Sequence, residues 1–271
     1  MKPVEYAKSG RLRIAYVTQG DPAAPPLLMI RGLGRTSRHW GAILRELVAR
    51  FRLILMDNRG VGRSSVPLLP FSTRDMADDA ARVLDAAGQT SAHVLGISLG
   101  GMVAQELVLR HPTRVRRLVL GCTRGGGRLS GPLEWGAIRN LVGPMRYAPE
   151  RAIRETARVI LSPDFLREHP EVVEEWVQIA RELPPSRRGV LFQLIAASRH
   201  DASDRLASVR HDTLVITGDA DRLIDAESSR RIAATIPGAR LELLPGAGHD
   251  FPTERPRETA ELVGAFCLTN P

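Results

Sequence analysis

The stretch that decides the fold is HVLGISLGGMVAQELVLR, residues 93–110. A short apolar run leads into the pattern G-x-S-x-G at residues 96–100, and an amphipathic segment follows at once. Strand, sharp turn and helix in this order form a nucleophile elbow, which holds a serine hydroxyl clear of the end of a sheet. The turn leaves little room for side chains beside the serine, which explains the glycine at both flanks. The stretch therefore predicts Ser98 as a nucleophile at the end of a buried strand.

A serine hydroxyl needs a general base, and the base needs an acid to orient it. In this context the expected chain order is serine, then Asp or Glu, then His. His249 ends LPGAGH, residues 244–249, directly after an apolar run, whereas the other six of the seven histidines lie in less suitable places. Two carboxylates compete for the acid in GDAD, residues 218–221. Asp221 lies further out on this loop and is the predicted acid, while Asp219 is expected to brace the turn.

Two backbone N–H groups are expected to bind the oxyanion that forms when a nucleophile attacks a carbonyl. One belongs to Leu99, the residue after the predicted nucleophile. The other is expected in the loop RGLG, residues 31–34, which follows an apolar run. By position in this loop Leu33 is the predicted donor, and the neighbouring glycines let the backbone approach a substrate closely.

Short apolar runs alternate with segments of helical spacing along most of the chain. Strands are predicted at residues 4–7, 12–18, 27–30, 53–56, 93–97, 118–120, 213–217 and 241–244. Helices are predicted at residues 40–48, 73–87, 102–110, 228–235 and 254–266. This alternation indicates an α/β fold with a mostly parallel sheet covered by helices on both faces.

The interval at residues 131–205 interrupts the alternation, because it has helical patterns and no convincing strand. It predicts an inserted helical lid (cap) at residues 131–205, with the α/β core formed by residues 1–130 and 206–271; a long helical crossover is the alternative. Apolar lid residues are candidates for a substrate pocket, although packing inside the lid is the more frequent role of such residues. They are Trp135, Met145, Tyr147, Phe165, Trp176, Phe192 and Leu194.

Composition and charge restrict the classes of partner. The 38 Lys and Arg against 30 Asp and Glu give a formal net charge of +8. The arginines are scattered among acids, which predicts a solvated basic surface and neither a nucleic-acid nor a membrane partner. Cys122 and Cys267 lie in separate apolar stretches, which predicts reduced, buried thiols and no metal site. With an N-terminus that lacks a signal-peptide core, these features predict a soluble cytoplasmic protein.

Four blocks of the sequence, taken in order, resemble the α/β-hydrolase superfamily. They are RGLG at residues 31–34, DNRGVGRS at 57–64, GISLGG at 96–101, and GDAD at 218–221 together with GAGH at 246–249. Within the superfamily the chain is similar to small bacterial esterases, enol-lactonases, cofactor-free haloperoxidase-like perhydrolases and polyketide methylesterases. The resemblance implies an eight-stranded, mostly parallel sheet, a helical cap after the sixth strand and no cofactor. The block at 57–64 is interpreted as a structural turn.

One position departs from this resemblance, and one separates the chain from related reactions. Arg31 stands where the family usually has histidine. Its side chain is expected either to brace the loop or to reach toward the pocket and favour a substrate carboxylate. Serine at position 98 differs from the aspartate nucleophile that haloalkane dehalogenases and epoxide hydrolases of this fold require.

The expected reaction is hydrolysis of a small carboxylic ester or lactone through an acyl-enzyme. Two alternatives remain at this point. The same triad can serve perhydrolysis, carbon–carbon bond hydrolysis or lyase chemistry, and the fold can also belong to a weakly catalytic binding protein.

Overall fold

An eight-stranded sheet forms the centre of the computed structural model, which describes residues 3–129 and 147–269. The strand order across the sheet is β1-β2-β4-β3-β5-β6-β7-β8. Strand β2 is antiparallel to both of its neighbours, and all other pairs are parallel. The strands are β1 Glu5–Ser9, β2 Leu12–Gln19, β3 Pro26–Ile30, β4 Arg52–Met56, β5 Ala92–Ile97, β6 Val115–Gly121, β7 Thr213–Gly218 and β8 Arg240–Leu244. The predicted α/β architecture is thereby confirmed.

Helices cover both faces of this sheet. The α-helices of the described ranges are α1 Ile43–Leu47, α2 Thr73–Ala86, α3 Leu99–Arg110, α4 Pro149–Ile160, α5 Pro163–Glu168, α6 Pro170–Glu182, α7 Arg187–Ser198, α8 Ala226–Thr235, α9 Phe251–Glu254 and α10 Pro256–Leu268. Every helix in these two ranges is too short or too polar to span a bilayer.

Strand β3 illustrates how the core forms two layers, because all five of its residues are buried. Leu28 and Ile30 belong to the apolar layer on one face of the sheet. Leu27 and Met29 belong to the layer on the other face. Alternate side chains of a strand point to opposite faces, so a continuous apolar run is expected for a strand covered on both sides.

Two predicted helices are each divided in the structure. The segment at 40–48 begins at the last residue of a short 3-10 helix, Ser37–Trp40, and continues as α1, and Gly41 between the two helices has a φ of 54°. The segment at 254–266 is divided between α9 and α10 by Pro256, which has no N–H to continue the hydrogen-bonding of α9. The predicted helix at 73–87 is present as α2, and the Ser72 hydroxyl caps it by accepting from the Asp75 N–H.

The described part of the interval at 131–205 contains four helices, α4 to α7, and no strand within residues 147–205. Six buried side chains form an apolar cluster of their own there, separate from the two layers on the sheet. They are Ala157, Ile160, Leu161, Val173, Trp176 and Ile179. The division into core and lid stays a prediction. The pocket candidates Trp135 and Met145 lie outside the described residues.

Candidate active site

Ser98 lies in a strained turn between β5 and α3. Its φ of 57° and ψ of −120° are unusual for a residue with a side chain. The turn is held from both sides, because the Ser98 N–H donates to the Gly121 carbonyl at 2.9 Å and the Thr123 hydroxyl donates to the Ser98 carbonyl at 2.7 Å. A Cβ on Gly100 would lie 2.0 Å from the Ile30 carbonyl oxygen, so only glycine allows α3 to approach β3 this closely. The elbow predicted from the sequence has this geometry.

The two carboxylates of the loop after β7 have different partners. Asp221 Oδ2 lies 2.7 Å from His249 Nδ1, and both side chains are buried. Asp221 Oδ1 accepts the N–H groups of Leu223 and Ile224 at 2.8 and 3.0 Å. Asp219 Oδ1 instead accepts the Gly246 N–H and so braces the turn after β8. Of these two carboxylates, Asp221 is thus the one that contacts the His249 ring.

The electrostatics of this pair favour a charged imidazole. Burial by itself lowers the pKa of His249, but the Asp221 carboxylate outweighs it and, with a smaller contribution from Cys122, raises the pKa well above 6.5.

Cys122 follows β6 and has a φ of 38°. Burial raises the pKa of its thiol, which lies beside His249. Sequence analysis did not place this cysteine in the site, because nothing local to it indicates a contact with His249.

Sheet order brings the Ser98 turn to the same end as the Asp221–His249 pair. Ser98 follows β5, Cys122 follows β6, and the loops carrying the pair follow β7 and β8, which are successive neighbours. Among the described residues, no hydrogen bond joins Ser98 Oγ to His249. In unliganded hydrolases such a bond commonly tightens only when substrate binds.

The loop after β3 lies directly against the elbow. A Cβ on Gly32 would be 3.1 Å from Ser98 Cβ, which places the Leu33 backbone beside the hydroxyl. Leu99 begins α3, and a first-turn N–H of a helix has no partner within the helix. The Gly34 N–H donates to Gln193 Oε1 at 2.9 Å, so helix α7 holds the loop. The loop and the start of α3 are therefore where two N–H groups can converge on one oxyanion.

Residues 27–262 match the model of the alpha/beta hydrolase family. The chain belongs to this family. A protein named putative carbamate hydrolase RutD, from Azorhizobium caulinodans, is 32% identical over 265 residues, which cover 97% of each protein. A hydrolase from Pseudomonas aeruginosa PA01 superposes with a TM-score of 0.87 at 31% identity, covering 98% of both chains. A thermophilic esterase from Thermogutta terrifontis has a TM-score of 0.82 at 27% identity, covering 96% of both. The resemblance inferred from the four sequence blocks is confirmed.

In this hydrolase Arg31 does not face an open pocket. Its side chain is 2% exposed, and its Nη1 and Nη2 donate to the two carboxylate oxygens of Asp250 at 3.0 and 2.7 Å. The guanidinium also lies over the Trp40 ring, 4.8 Å from its centroid. Burial tends to raise the pKa of Asp250, but Arg31 outweighs it and keeps that pKa below its usual value. This geometry favours the loop-bracing interpretation of Arg31 over the substrate-contacting one.

The described pocket candidates of the hydrolase have packing partners. Phe192 stacks edge-on against Phe71 with ring centroids 6.2 Å apart. Tyr147 is half-buried beneath the Arg151 guanidinium. Trp176 is buried in the lid cluster. Trp176 also contacts the loop that carries Leu33, through a residue that sequence analysis did not single out, Arg35. Residues 3–129 and 147–269 contain no group of three or more His, Cys, Asp or Glu arranged to hold a metal ion.

Proposed function

We propose that this hydrolase cleaves small carboxylic esters or lactones with Ser98 as nucleophile, His249 as general base and Asp221 as the orienting acid. The observation that carries the proposal is the 2.7 Å contact of Asp221 with His249 Nδ1, which leaves Nε2 as the only ring nitrogen able to serve Ser98. A base oriented by a buried carboxylate at the sheet end that carries a strained serine is suited to acyl transfer.

In the proposed reaction His249 Nε2 takes the Ser98 proton while Ser98 Oγ attacks the ester carbonyl. The oxyanion of the tetrahedral intermediate accepts from the Leu33 and Leu99 N–H groups, each donor being worth about 3–4 kcal/mol of barrier. The imidazolium then gives its proton to the leaving alcohol, and the acyl group remains on Ser98. Water enters, His249 deprotonates it, and a second tetrahedral intermediate collapses to release the acid and the free serine.

The test is hydrolysis of p-nitrophenyl esters from acetate to octanoate by the wild type and by Ser98→Ala. Ser208→Ala is the matched control, because Ser208 is exposed and only donates to a local carbonyl, that of Arg205. We expect Ser98→Ala to lose at least about 10⁴-fold in kcat and the control to match the wild type. A fluorophosphonate should lose fluoride and add one phosphonyl group per protein molecule, on Ser98 alone. Retention of a tenth of the activity by Ser98→Ala would exclude this nucleophile.

A second candidate function is carbamate hydrolysis, which the 32% identity to the putative carbamate hydrolase favours. The same residues would form a carbamoyl-enzyme, which water attacks more slowly than an acyl-enzyme because nitrogen donates electrons to its carbonyl. Comparison of p-nitrophenyl acetate with p-nitrophenyl N-methylcarbamate separates the two functions. A stoichiometric burst without turnover of the carbamate supports the esterase, and sustained turnover at a similar kcat/KM supports the carbamate hydrolase.

A further inference from the structure

Arg35 is a buried cation with unsatisfied donors. It follows the Leu33–Gly34 backbone, and the residue is 7% exposed. Its guanidinium lies 3.9 Å from the centroid of the Trp176 ring, beneath helix α6 of the lid. Within the described ranges, neither Nη1 nor Nη2 has a hydrogen-bond partner. Buried guanidinium nitrogens are ordinarily paired, so these two donors indicate a place for an acceptor that the described residues do not supply.

The charges around Arg35 do not balance. Asp250 is the acid that faces Arg35, and both of its oxygens already accept from Arg31. Burial, followed by the charges of Arg35 and Arg31, keeps the pKa of His39 well below 6.5, so the His39 ring is neutral. Burial lowers the pKa of Arg35 to about 10, which still leaves it charged at neutral pH. Two guanidinium groups and one carboxylate leave one net positive charge in a buried space.

The same loop connects this charge to the candidate oxyanion site. Arg35 is two residues from Leu33, so their Cα atoms are at most about 7 Å apart. The Arg35 N–H donates to the Gly32 carbonyl at 3.2 Å, and Gly32 is the residue that packs on Ser98. On the other side, Asp250 directly follows His249 in sequence. The backbone that carries Arg35 therefore adjoins both the Ser98 turn and the candidate oxyanion site.

We propose that Arg35 binds a free carboxylate of the substrate, so that the substrate is a small ester or lactone bearing a second, ionised acid group. The planar guanidinium presents Nη1 and Nη2 as a fork that matches a carboxylate, and stacking on Trp176 fixes its plane. The assignment of the reacting group rests on the proposed function, whereas the anion site stands on the Arg35 environment alone. Sequence analysis considered a substrate carboxylate at Arg31, but Arg31 binds Asp250, and the proposed site lies at the next arginine of the same loop.

Direct binding tests the anion site without any turnover. The probes are succinate, glutarate and adipate, with glutaramide as the neutral counterpart, titrated calorimetrically into Ser98→Ala. We expect at least one dicarboxylate to bind, glutaramide to bind at least 10-fold more weakly, and Arg35→Met to remove the preference. Arg45→Gln is the matched control, because Arg45 is exposed on α1 and the change removes the same charge. Equal binding of dicarboxylates by the Arg35→Met and Arg45→Gln proteins would overturn the proposal.

Kinetics with two matched esters test the substrate class. Monomethyl glutarate carries the carboxylate, and methyl glutaramate replaces it with an uncharged amide of the same shape. For Arg35→Met we expect kcat/KM to fall about 100-fold on the first ester and less than 3-fold on the second. An equal fall on both esters would mean that Arg35 only holds the lid through Trp176, and the proposal would be wrong.

Thermal unfolding separates a binding role from a structural one. Arg35→Met removes an unpaired buried charge and keeps much of the packing on Trp176, so its Tm should equal or exceed that of the wild type. Glutarate should raise the Tm of the wild type and leave that of Arg35→Met unchanged. A Tm several degrees lower for Arg35→Met, without glutarate, would overturn the binding role. Dicarboxylate binding without turnover of any ester would remove the proposed function alone, and ester turnover without dicarboxylate binding would remove this inference alone.

Discussion

His249 is the residue whose environment makes the sharpest prediction about pH. In the proposed reaction His249 must be neutral to accept the Ser98 proton, and Asp221 raises the pKa of His249 well above 6.5 despite burial. The acid limb of kcat/KM should therefore lie above pH 6.5, with activity increasing as the pH rises through it. In Asp221→Asn the limb should move to lower pH and the plateau should fall by about 10⁴-fold. A pH profile of both proteins checks this, and an unmoved limb would mean that another group titrates.

The Arg31–Asp250 pair makes a prediction about stability. Both side chains are almost fully buried, at 2% and 3% exposure, so removing one partner leaves an uncompensated charge. Asp250→Asn should lower the free energy of unfolding by about 3–5 kcal/mol, and Arg31→Met combined with Asp250→Leu should recover much of that loss. Urea unfolding of the three proteins measures these changes. If Asp250→Asn is as stable as the wild type, the pair does not hold the loop.

The presence or absence of a local sequence pattern explains which residues of the candidate site sequence analysis found and which it missed. Ser98, Asp221 and His249 each follow a strand and lie within three residues of a glycine, so short patterns single them out. Asp250 meets Arg31 across 219 residues of chain, and no short pattern records that contact. The same holds for Arg35, whose partner Trp176 lies in the lid. Their roles depend on how segments that are far apart in the chain pack together, and a single sequence does not show this packing.

At the scale of secondary-structure elements, helix α7 of the predicted lid contacts the loop that carries Leu33. Gly189 packs on Gly60 so closely that a Cβ on Gly189 would lie 1.9 Å from the Gly60 carbonyl oxygen. One turn later Gln193 accepts the Gly34 N–H and donates to the Arg59 carbonyl, both at 2.9 Å. The glycine contact and the amide together fix the distance between α7 and the loop that carries Leu33.

Gly189→Ala should therefore move α7 away and loosen that loop. We expect kcat/KM to fall at least 10-fold and the backbone amides of α7 to exchange with solvent faster. Hydrogen exchange read by mass spectrometry, together with ester kinetics, measures both effects. Leu191→Ala is the control, since Leu191 is exposed on the same helix. Unchanged exchange and activity in Gly189→Ala would mean that the Gly189–Gly60 contact does not position α7 or the loop.

Apolar runs predicted where the strands lie more reliably than the sequence predicted where strands and helices begin and end. The run at 118–120 underestimated β6, Val115–Gly121, because Arg116 and Arg117 interrupt the apolar pattern. Those arginines reach out of the sheet, where Arg116 Nε donates to the Ser91 hydroxyl at 3.0 Å. In the segment at 40–48 the helical spacing obscured the break that Gly41 introduces. Whether a side chain points out of the sheet, and whether a single residue ends a helix, depends on contacts with residues outside the local pattern.

At the scale of the whole molecule, the parallel sheet collects the candidate site from segments far apart in sequence. The loops after β3, β5, β6, β7 and β8 all leave the same end of the sheet. Carboxyl ends of parallel strands are where ligands bind in α/β folds. The fold was therefore predictable from alternating strands and helices, and the general position of the site followed from it. The unbalanced charge of Arg35 was not predictable, because it depends on contacts between the core and α6.

The two cysteines test whether the molecule unfolds as one unit. Cys122 and Cys267 belong to the same apolar layer and are 0% and 4% exposed. They lie toward opposite ends of β6, Cys122 near His249 and Cys267 near Arg117. Burial raises the pKa of both thiols, to about 12 for Cys267. Because the thiolate is the reactive form, a disulfide reagent should label neither thiol in the native protein and both after denaturation. A second experiment labels the Cys122→Ala and Cys267→Ala proteins, each with one remaining thiol, at increasing urea concentrations. In both proteins the thiol should become reactive at the urea midpoint at which the circular dichroism signal is lost. Earlier labelling of Cys122 would mean that the end of the sheet bearing the site opens separately from the rest of the core.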